Sequence, residues 1–226
     1  MTPAERLQDA LEYRFKQPAL LVQALSHRST GPDNYERLEY LGDGLLNFVI
    51  AEAVFQARPL AEEGELSRLR AALVREESLA RIAARLALGD ALKLGGGEMK
   101  SGGYRRDSIL ADALEAVIGA AYLDGGFEPA RTMTMRLFAP LLGDLPEAAS
   151  LKDPKTRLQE WLQGRGRPLP EYRLLSAEGP SHQQTFTVAC ELADGDETTQ
   201  AQGSSRKLAE QKAAESMLNK MEVTHA

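Results

Sequence analysis

Residues 36–53 read Glu36-Arg-Leu-Glu39-Tyr-Leu-Gly-Asp43-Gly-Leu-Leu-Asn-Phe48-Val-Ile-Ala-Glu-Ala53, and their period decides the fold class. Leu38, Leu41, Leu45, Phe48, Val49 and Ala53 recur at three and four spacing, the apolar stripe of a core helix. Glu36, Glu39 and Asp43 stand at i, i+3 and i+7, so the same helix carries three carboxylates along one face while the leucines point elsewhere. A second stretch repeats the arrangement. Leu110, Ala113, Leu114, Val117, Ile118 and Ala121 form a core stripe, with Asp112 and Glu115 set into it at i, i+3. Charges in so apolar a helix need compensation.

Outward from these two segments, residues 2 to about 142 read as helix after helix. Gly31-Pro32, Pro59, Gly89, the run Gly95–Gly97, Gly102-Gly103 and Gly125-Gly126 mark the loops between them. No alternating strand pattern precedes residue 170. Residues 143–152 read as a short linker, and the period then changes. Asp153 caps a helix with Pro154 in its first turn, running through Leu158, Trp161 and Leu162 to Gly164. Three strands are expected at 171–177, 184–191 and 198–203, split by Gly179-Pro180 and Asp194-Gly195. Ser204-Ser205 then caps a last helix that buries Leu208, Ala209, the stem of Lys212, Ala213, Met217 and Leu218. The expectation is a mainly α protein: an all-helical domain at 1–142, then a small α+β domain of order αβββα at 153–226.

Composition narrows the function classes. At 226 residues, 43% apolar and 27% charged, the chain is neither disordered nor fibrous. Its longest apolar stretch, Leu45 to Phe55, is interrupted by Asn47 and Glu52 and falls short of the ~20 residues a bilayer needs, so no membrane span is expected. Residues 1–6 carry no charged-then-apolar leader, and the single Cys190 has no partner for a disulfide, which places the chain in a reducing cytosol. The net charge of −6 excludes nucleic-acid binding by a bulk positive field. Residues 153–226 hold nine Lys and Arg against eleven Asp and Glu, leaving 18 against 22 in residues 1–152, so neither half is basic. A polyanion must be met by local basic patches.

Four or five carboxylates meeting between two helices repel by about 4 kcal/mol per pair at ~4 Å and an effective dielectric near 20. Solvation on a helix surface is the ordinary fate of such residues, but these lie in apolar helices, and hard Mg²⁺ or Mn²⁺ match an all-oxygen set. A di-iron bundle would need Glu-x-x-His, and His27, His182 and His225 are not so spaced. Cys190 falls in an expected strand and no Gly-x-Ser-x-Gly occurs, which leaves nucleophilic catalysis without its parts. Metal-assisted hydrolysis of a phosphodiester remains. A module that only grips RNA and a metal enzyme acting on small molecules are the competing classes; the latter leaves the αβββα half unexplained.

Several motifs carry a family resemblance along essentially the whole chain. Glu36-Arg-Leu-Glu-Tyr-Leu-Gly-Asp43 resembles the signature of bacterial ribonuclease III, and four further segments fall in that family's order: Ala24-Leu-Ser-His-Arg-Ser29, Leu66-Ser-Arg-Leu-Arg70, Lys100-Ser-Gly-Gly-Tyr-Arg-Arg106 and Ile109 to Gly119. The stretches beginning at Asp153-Pro-Lys-Thr and Gly203-Ser-Ser-Arg-Lys are similar to a double-stranded RNA-binding domain. The resemblance implies a Mg²⁺-dependent endoribonuclease, with Mn²⁺ able to substitute, that cuts both strands of double-stranded RNA such as ribosomal precursors and structured messages. It implies Glu39, Asp43, Asp112 and Glu115 as metal ligands, with Asp43 and Glu115 the most sensitive catalytically. It places Glu36 and Glu63 at a subunit interface or near substrate, in a cytoplasmic homodimer joined through the nuclease domain. An isologous dimer suits a duplex with its own local two-fold symmetry. Two positions depart from the family pattern: Gly44 follows Asp43 where a small non-glycine residue is usual, and Tyr35 precedes Glu36 where Asn is usual.

An A-form duplex is read by shape, phosphates and 2′-hydroxyls. By the same resemblance, Thr156, Gln159 and Glu160 would meet one minor groove and the loop with Ser181 and His182 the next. Ser204, Ser205, Arg206 and Lys207, at a helix N-terminus, would hold the intervening phosphates. Lys100, Arg105 and Arg106 form a basic glycine-flanked loop expected to touch RNA backbone. Trp161 reads as core, and His27 as a loop-fixing hydrogen-bonding residue.

Overall fold

The computed structural model describes residues 1–147, 151–180, 183–195 and 197–224. The chain divides into two units, Met1–Leu151 and Lys152–Ala226. In the first unit Thr2 and Glu5 form a capping box that starts α1 (Pro3–Leu11). There follow α2 (Pro18–Ala24), α3 (Glu36–Ala57), α4 (Glu63–Val74), α5 (Glu76–Arg85), α6 (Gly96–Lys100), α7 (Asp107–Gly125) and α8 (Phe127–Gly143). The Gly95–Gly97 run, expected as loop, begins the single helical turn of α6.

α7 is the central element and packs against α2, α3, α5 and α8. Its side chains are buried nearly all round, from Ile109 and Leu110 through Leu114 and Ile118 to Ala121. α3 crosses it at two glycines. A Cβ built on Gly42 would stand 1.8 Å from the Glu115 carbonyl oxygen, and one on Gly119 would stand 2.2 Å from that of Leu38. The two backbones therefore touch where their acidic residues lie. At the far end of α7, Asp124 accepts hydrogen bonds from the Tyr13 hydroxyl (2.8 Å) and from the backbone N–H groups of Lys16 (3.0 Å) and Gln17 (2.7 Å). Burial opposes its ionisation, yet these donors outweigh that and hold its carboxyl below the usual range.

The α3 stripe departs in part from expectation. Leu38, Val49 and Ala53 are buried, but Leu41 and Leu45 are only half-buried and Phe48 is 59% exposed. It lies edge-on to Phe127, ring centres 5.9 Å apart, on an outward face shared with Tyr40 (84% exposed) and Phe55 (66%).

In the second unit Asp153 caps α9 (Pro154–Gln163), its carboxylate accepting from the Lys155 N–H at 2.9 Å. The strands β1 (Glu171–Glu178), β2 (Thr185–Glu191) and β3 (Thr198–Gly203) form one antiparallel sheet in chain order, with Tyr172 opposite Cys190 and Cys190 opposite Thr199. α10 (Arg206–Thr224) packs on the sheet and on α9, and the Ser205 hydroxyl accepts from the Leu208 N–H at 3.2 Å. The core joins Leu158 and Leu162 to Cys190, Leu192, Ala213, Met217 and Leu218, with Trp161 packed at its edge. Leu208, expected inside, is exposed, as is Lys212, of which only the stem was expected to be buried; Ala214 and Met221 occupy the inner face instead, because that face faces α9 as well as the sheet. The protein is thus mainly α: an all-helical unit followed by a small αβββα unit.

Candidate metal centre and nucleic-acid interface

The Gly42–Gly119 crossing sets the depth of the acid cluster. Glu39 on α3 and Asp112 and Glu115 on α7 each offer an oxygen, and the three lie within 4.8 Å of one another. Glu115 feels burial first and then the charges of Asp43, Asp112 and Glu39, which together push its carboxyl up to about 8. Burial likewise raises Glu39, with Asp112, Glu36 and Asp43 adding to it and Arg28 opposing. Asp112 is raised chiefly by burial. A cluster whose ionisation is opposed first by burial and then by its own charge fits a hard divalent cation, which would draw all three groups into the ionised form.

Asp43 stands beside this trio rather than in it. Its carboxylate accepts from Asn47 Nδ2 at 2.7 Å, one turn on, and lines an apolar groove of about 530 Å³ with Tyr40, Gly44, Phe48, Tyr122 and Phe127. A second groove, about 380 Å³, runs beside it between Phe48, Phe55, Leu66 and Glu63, and Glu63 accepts from the Ser67 hydroxyl at 3.0 Å. Glu36 is exposed and faces Arg28 at 3.9 Å.

A polar cavity of about 330 Å³ adjoins the cluster, lined by residues that include His27, Arg28, Tyr35, Glu39, Arg106 and Asp112. His27 Nδ1 accepts from the Ser29 N–H at 3.1 Å, fixing the loop. Tyr35 was not singled out for this site by sequence, although a large aromatic at an N-cap position, where small polar residues are favoured, is itself a signal. Its hydroxyl points at Asp112 Oδ2, 3.5 Å away, and burial with the charges of Asp112 and Glu39 raises its ionisation far above the ordinary tyrosine range.

The basic groups divide into engaged and open ones. Lys100 and Arg105 are exposed, Arg105 over the Tyr104 ring, while Arg106 pairs with Glu98 at 2.7 Å. In the second unit Thr156 is exposed, Gln159 half-buried, and Glu160 pairs with Lys152 at 2.6 Å. Ser204, Ser205, Arg206 and Lys207 stand exposed at the start of α10, where Arg206 is tied to Glu210 at 2.9 Å. Ser181 and His182 lie outside the described residues.

The family description Ribonuclease-III-like matches residues 17–141, and the double-stranded RNA binding motif matches residues 154–221. The chain is 60% identical over 225 residues to ribonuclease 3 of Alkalilimnicola ehrlichii, covering 99% of this chain and 98% of that one. It is 57% identical to ribonuclease 3 of Thiobacillus denitrificans over 92% of each chain. A solved nuclease domain of ribonuclease III from Campylobacter jejuni, described with a region involved in dimer formation, matches with TM-score 0.59 and 47% identity, over 60% of this chain and 96% of that one. Two helices crossing at glycines to gather carboxylates, an αβββα unit later in the sequence, and these full-length likenesses lead to one statement: the chain belongs to the ribonuclease III family.

Proposed function

We propose that this chain is a Mg²⁺-dependent endoribonuclease that hydrolyses phosphodiester bonds in both strands of double-stranded RNA, ribosomal precursors and structured messages among them, with Mn²⁺ as a substitute ion. The observation that carries the reading is the trio Glu39, Asp112 and Glu115, three oxygens within 4.8 Å on two helices whose backbones are in contact. When bound, Mg²⁺ supplies Lewis acidity, lowering the pKa of water and taking up charge on the departing oxygen. Glu39, Asp112 and Glu115 would hold the ion, and Glu115, whose carboxyl burial and its acidic neighbours push up to about 8, would give up its proton to do so. Asp43 completes the set from the groove side. Residues 1–142 supply the nuclease, 143–152 the linker and 153–226 the duplex grip through Thr156, Gln159, Glu160, Ser181, His182, Ser204, Ser205, Arg206 and Lys207, with Lys100, Arg105 and Arg106 touching backbone from the nuclease half.

A second copy of the chain covers the groove of Tyr40, Phe48 and Phe55, which brings Glu63 toward the shared interface, while Glu36, on the polar cavity beside the acid cluster, lies near the substrate. Tyr40, Phe48 and Phe55 are too exposed and too large for an ordinary solvated face. Among the described residues no helix is long and apolar enough to cross a membrane.

Incubation of labelled duplex RNA with the protein in Mg²⁺ and then in EDTA tests the reading. Cleavage only in Mg²⁺, lost in Asp43→Ala and Glu115→Ala while duplex binding stays within a few-fold, is the expected result. Uncut RNA in both conditions would leave a binding module, and normal cleavage by either variant refutes the metal assignment.

A further inference from the structure

We propose that Tyr35 is a positioning residue for the acid cluster: its buried hydroxyl holds one oxygen of Asp112 and leaves the other to a cation. The inference rests on the reading of Glu39, Asp112 and Glu115 as a metal site. Tyr35 is 2% exposed, and its ring lies edge-on to His27 with centres 5.7 Å apart, so the side chain has one orientation available. Its backbone is fixed as well. The Tyr35 N–H donates to the Ser26 carbonyl at 2.9 Å, and the Tyr35 carbonyl accepts from Leu38 at 2.8 Å and Glu39 at 2.9 Å. One residue therefore reaches both helices of the cluster, Glu39 through the main chain and Asp112 through the hydroxyl, across 77 residues of sequence.

A carboxylate that swings freely between two oxygens presents neither of them reliably, and an outer hydrogen bond that takes one oxygen selects the other for the ion. Asp112 is the partner of the Tyr35 hydroxyl among the described residues, because the rest of the ring is packed in the core with Leu38 and its neighbours.

The test compares the full chain with Tyr35→Phe, which keeps the ring and removes only the hydroxyl. Mn²⁺ binding to metal-free protein, read from the loss of the free-ion electron paramagnetic resonance signal, is expected to weaken about 10- to 100-fold. Duplex RNA binding in EDTA should not change. Thr199→Val is the comparator: it removes a hydroxyl that donates to the Ala213 carbonyl at 2.8 Å in the second unit, and should lower the melting temperature while leaving Mn²⁺ affinity as in the parent. Adding Tyr35→Phe to Asp112→Asn should cost nothing further, since the two act through one contact. Parental Mn²⁺ affinity in Tyr35→Phe overturns the inference and leaves the metal site standing. Absence of Mn²⁺ binding in the parent protein overturns both.

Discussion

Adding one methyl group at the helix crossing should damage both the core and the chemistry. In Gly119→Ala the new Cβ would stand 2.2 Å from the Leu38 carbonyl oxygen, and in Gly42→Ala 1.8 Å from that of Glu115, where ordinary contact begins at 3.4 Å. The difference, 1.2 Å in the first case and 1.6 Å in the second, must be met by backbone on both sides, since neither neighbour is a flexible side-chain tip. Overpacking of this kind costs about 1–3 kcal/mol or more. Glu39 follows Leu38 directly and Glu115 is itself the neighbour, so the same displacement pulls the carboxylates apart, and a shift of about 1 Å in reacting groups costs roughly 10²-fold in rate. Thermal unfolding, Mn²⁺ binding and single-turnover cleavage of a labelled duplex read the three consequences. Gly44→Ala is the matched control. Its Cβ meets nothing within 4 Å, so the change should be neutral or stabilising by up to about 1 kcal/mol. A Gly119→Ala protein with parental melting, ion affinity and rate would show that the close approach of α3 and α7 does not set the cluster's spacing.

Glu115→Gln tests the electrostatics without metal. Its folded pKa, about 8, lies above the unfolded value near 4.5, so the metal-free protein loses stability as pH rises through that window and bears the full penalty above it. Urea unfolding in EDTA should find Glu115→Gln more stable than the parent at pH 8.5 by about 1–2 kcal/mol after allowance for solvent screening, and equal to it near pH 4; an equal difference at both pH values contradicts the assignment. Tyr40→Asp or Phe55→Asp should convert a dimer to monomer in sedimentation equilibrium, and an unchanged mass rules out the aromatic groove as the interface. Lys207→Ala should weaken duplex binding with a shallower salt dependence, one phosphate fewer being neutralised, whereas Arg206→Ala, already paired to Glu210, should change the slope less. Parental affinity and slope for Lys207→Ala at ~0.15 M salt would remove α10 from the interface.

The parts of this fold governed by local patterning were readable in advance. The αβββα order and the third strand, Thr198–Gly203, follow from alternation bounded by Asp194-Gly195, and the Asp153 cap follows from its own side chain. The two acidic helices were visible because charge interrupts an apolar stripe. What escaped was set by partners distant in sequence. Phe48 fits a core period as well as an interface period, and only packing tells that the core is already filled by Leu46, Val49 and Ile50. Three carboxylates on one face of α3 did not say which would turn inward; Asn47 draws Asp43 aside, while Glu39 meets α7. The Tyr35 hydroxyl and the paired glycines answer to residues on α7, which no local spacing in α3 encodes.

The hydrogen bonds gathered on Asp124 have a consequence for the opposite end of its helix. Tyr13, Lys16 and Gln17 fasten the carboxyl-terminal turn of α7, and Gly119 seats its middle against α3, so the rod can neither roll about its axis nor slide lengthwise without breaking several contacts at once. Asp112 and Glu115 ride on that rod. Their azimuth is settled when the chain folds, and a cation bound there, as proposed, would find the directions of its ligands already chosen, leaving it little reorganisation to drive.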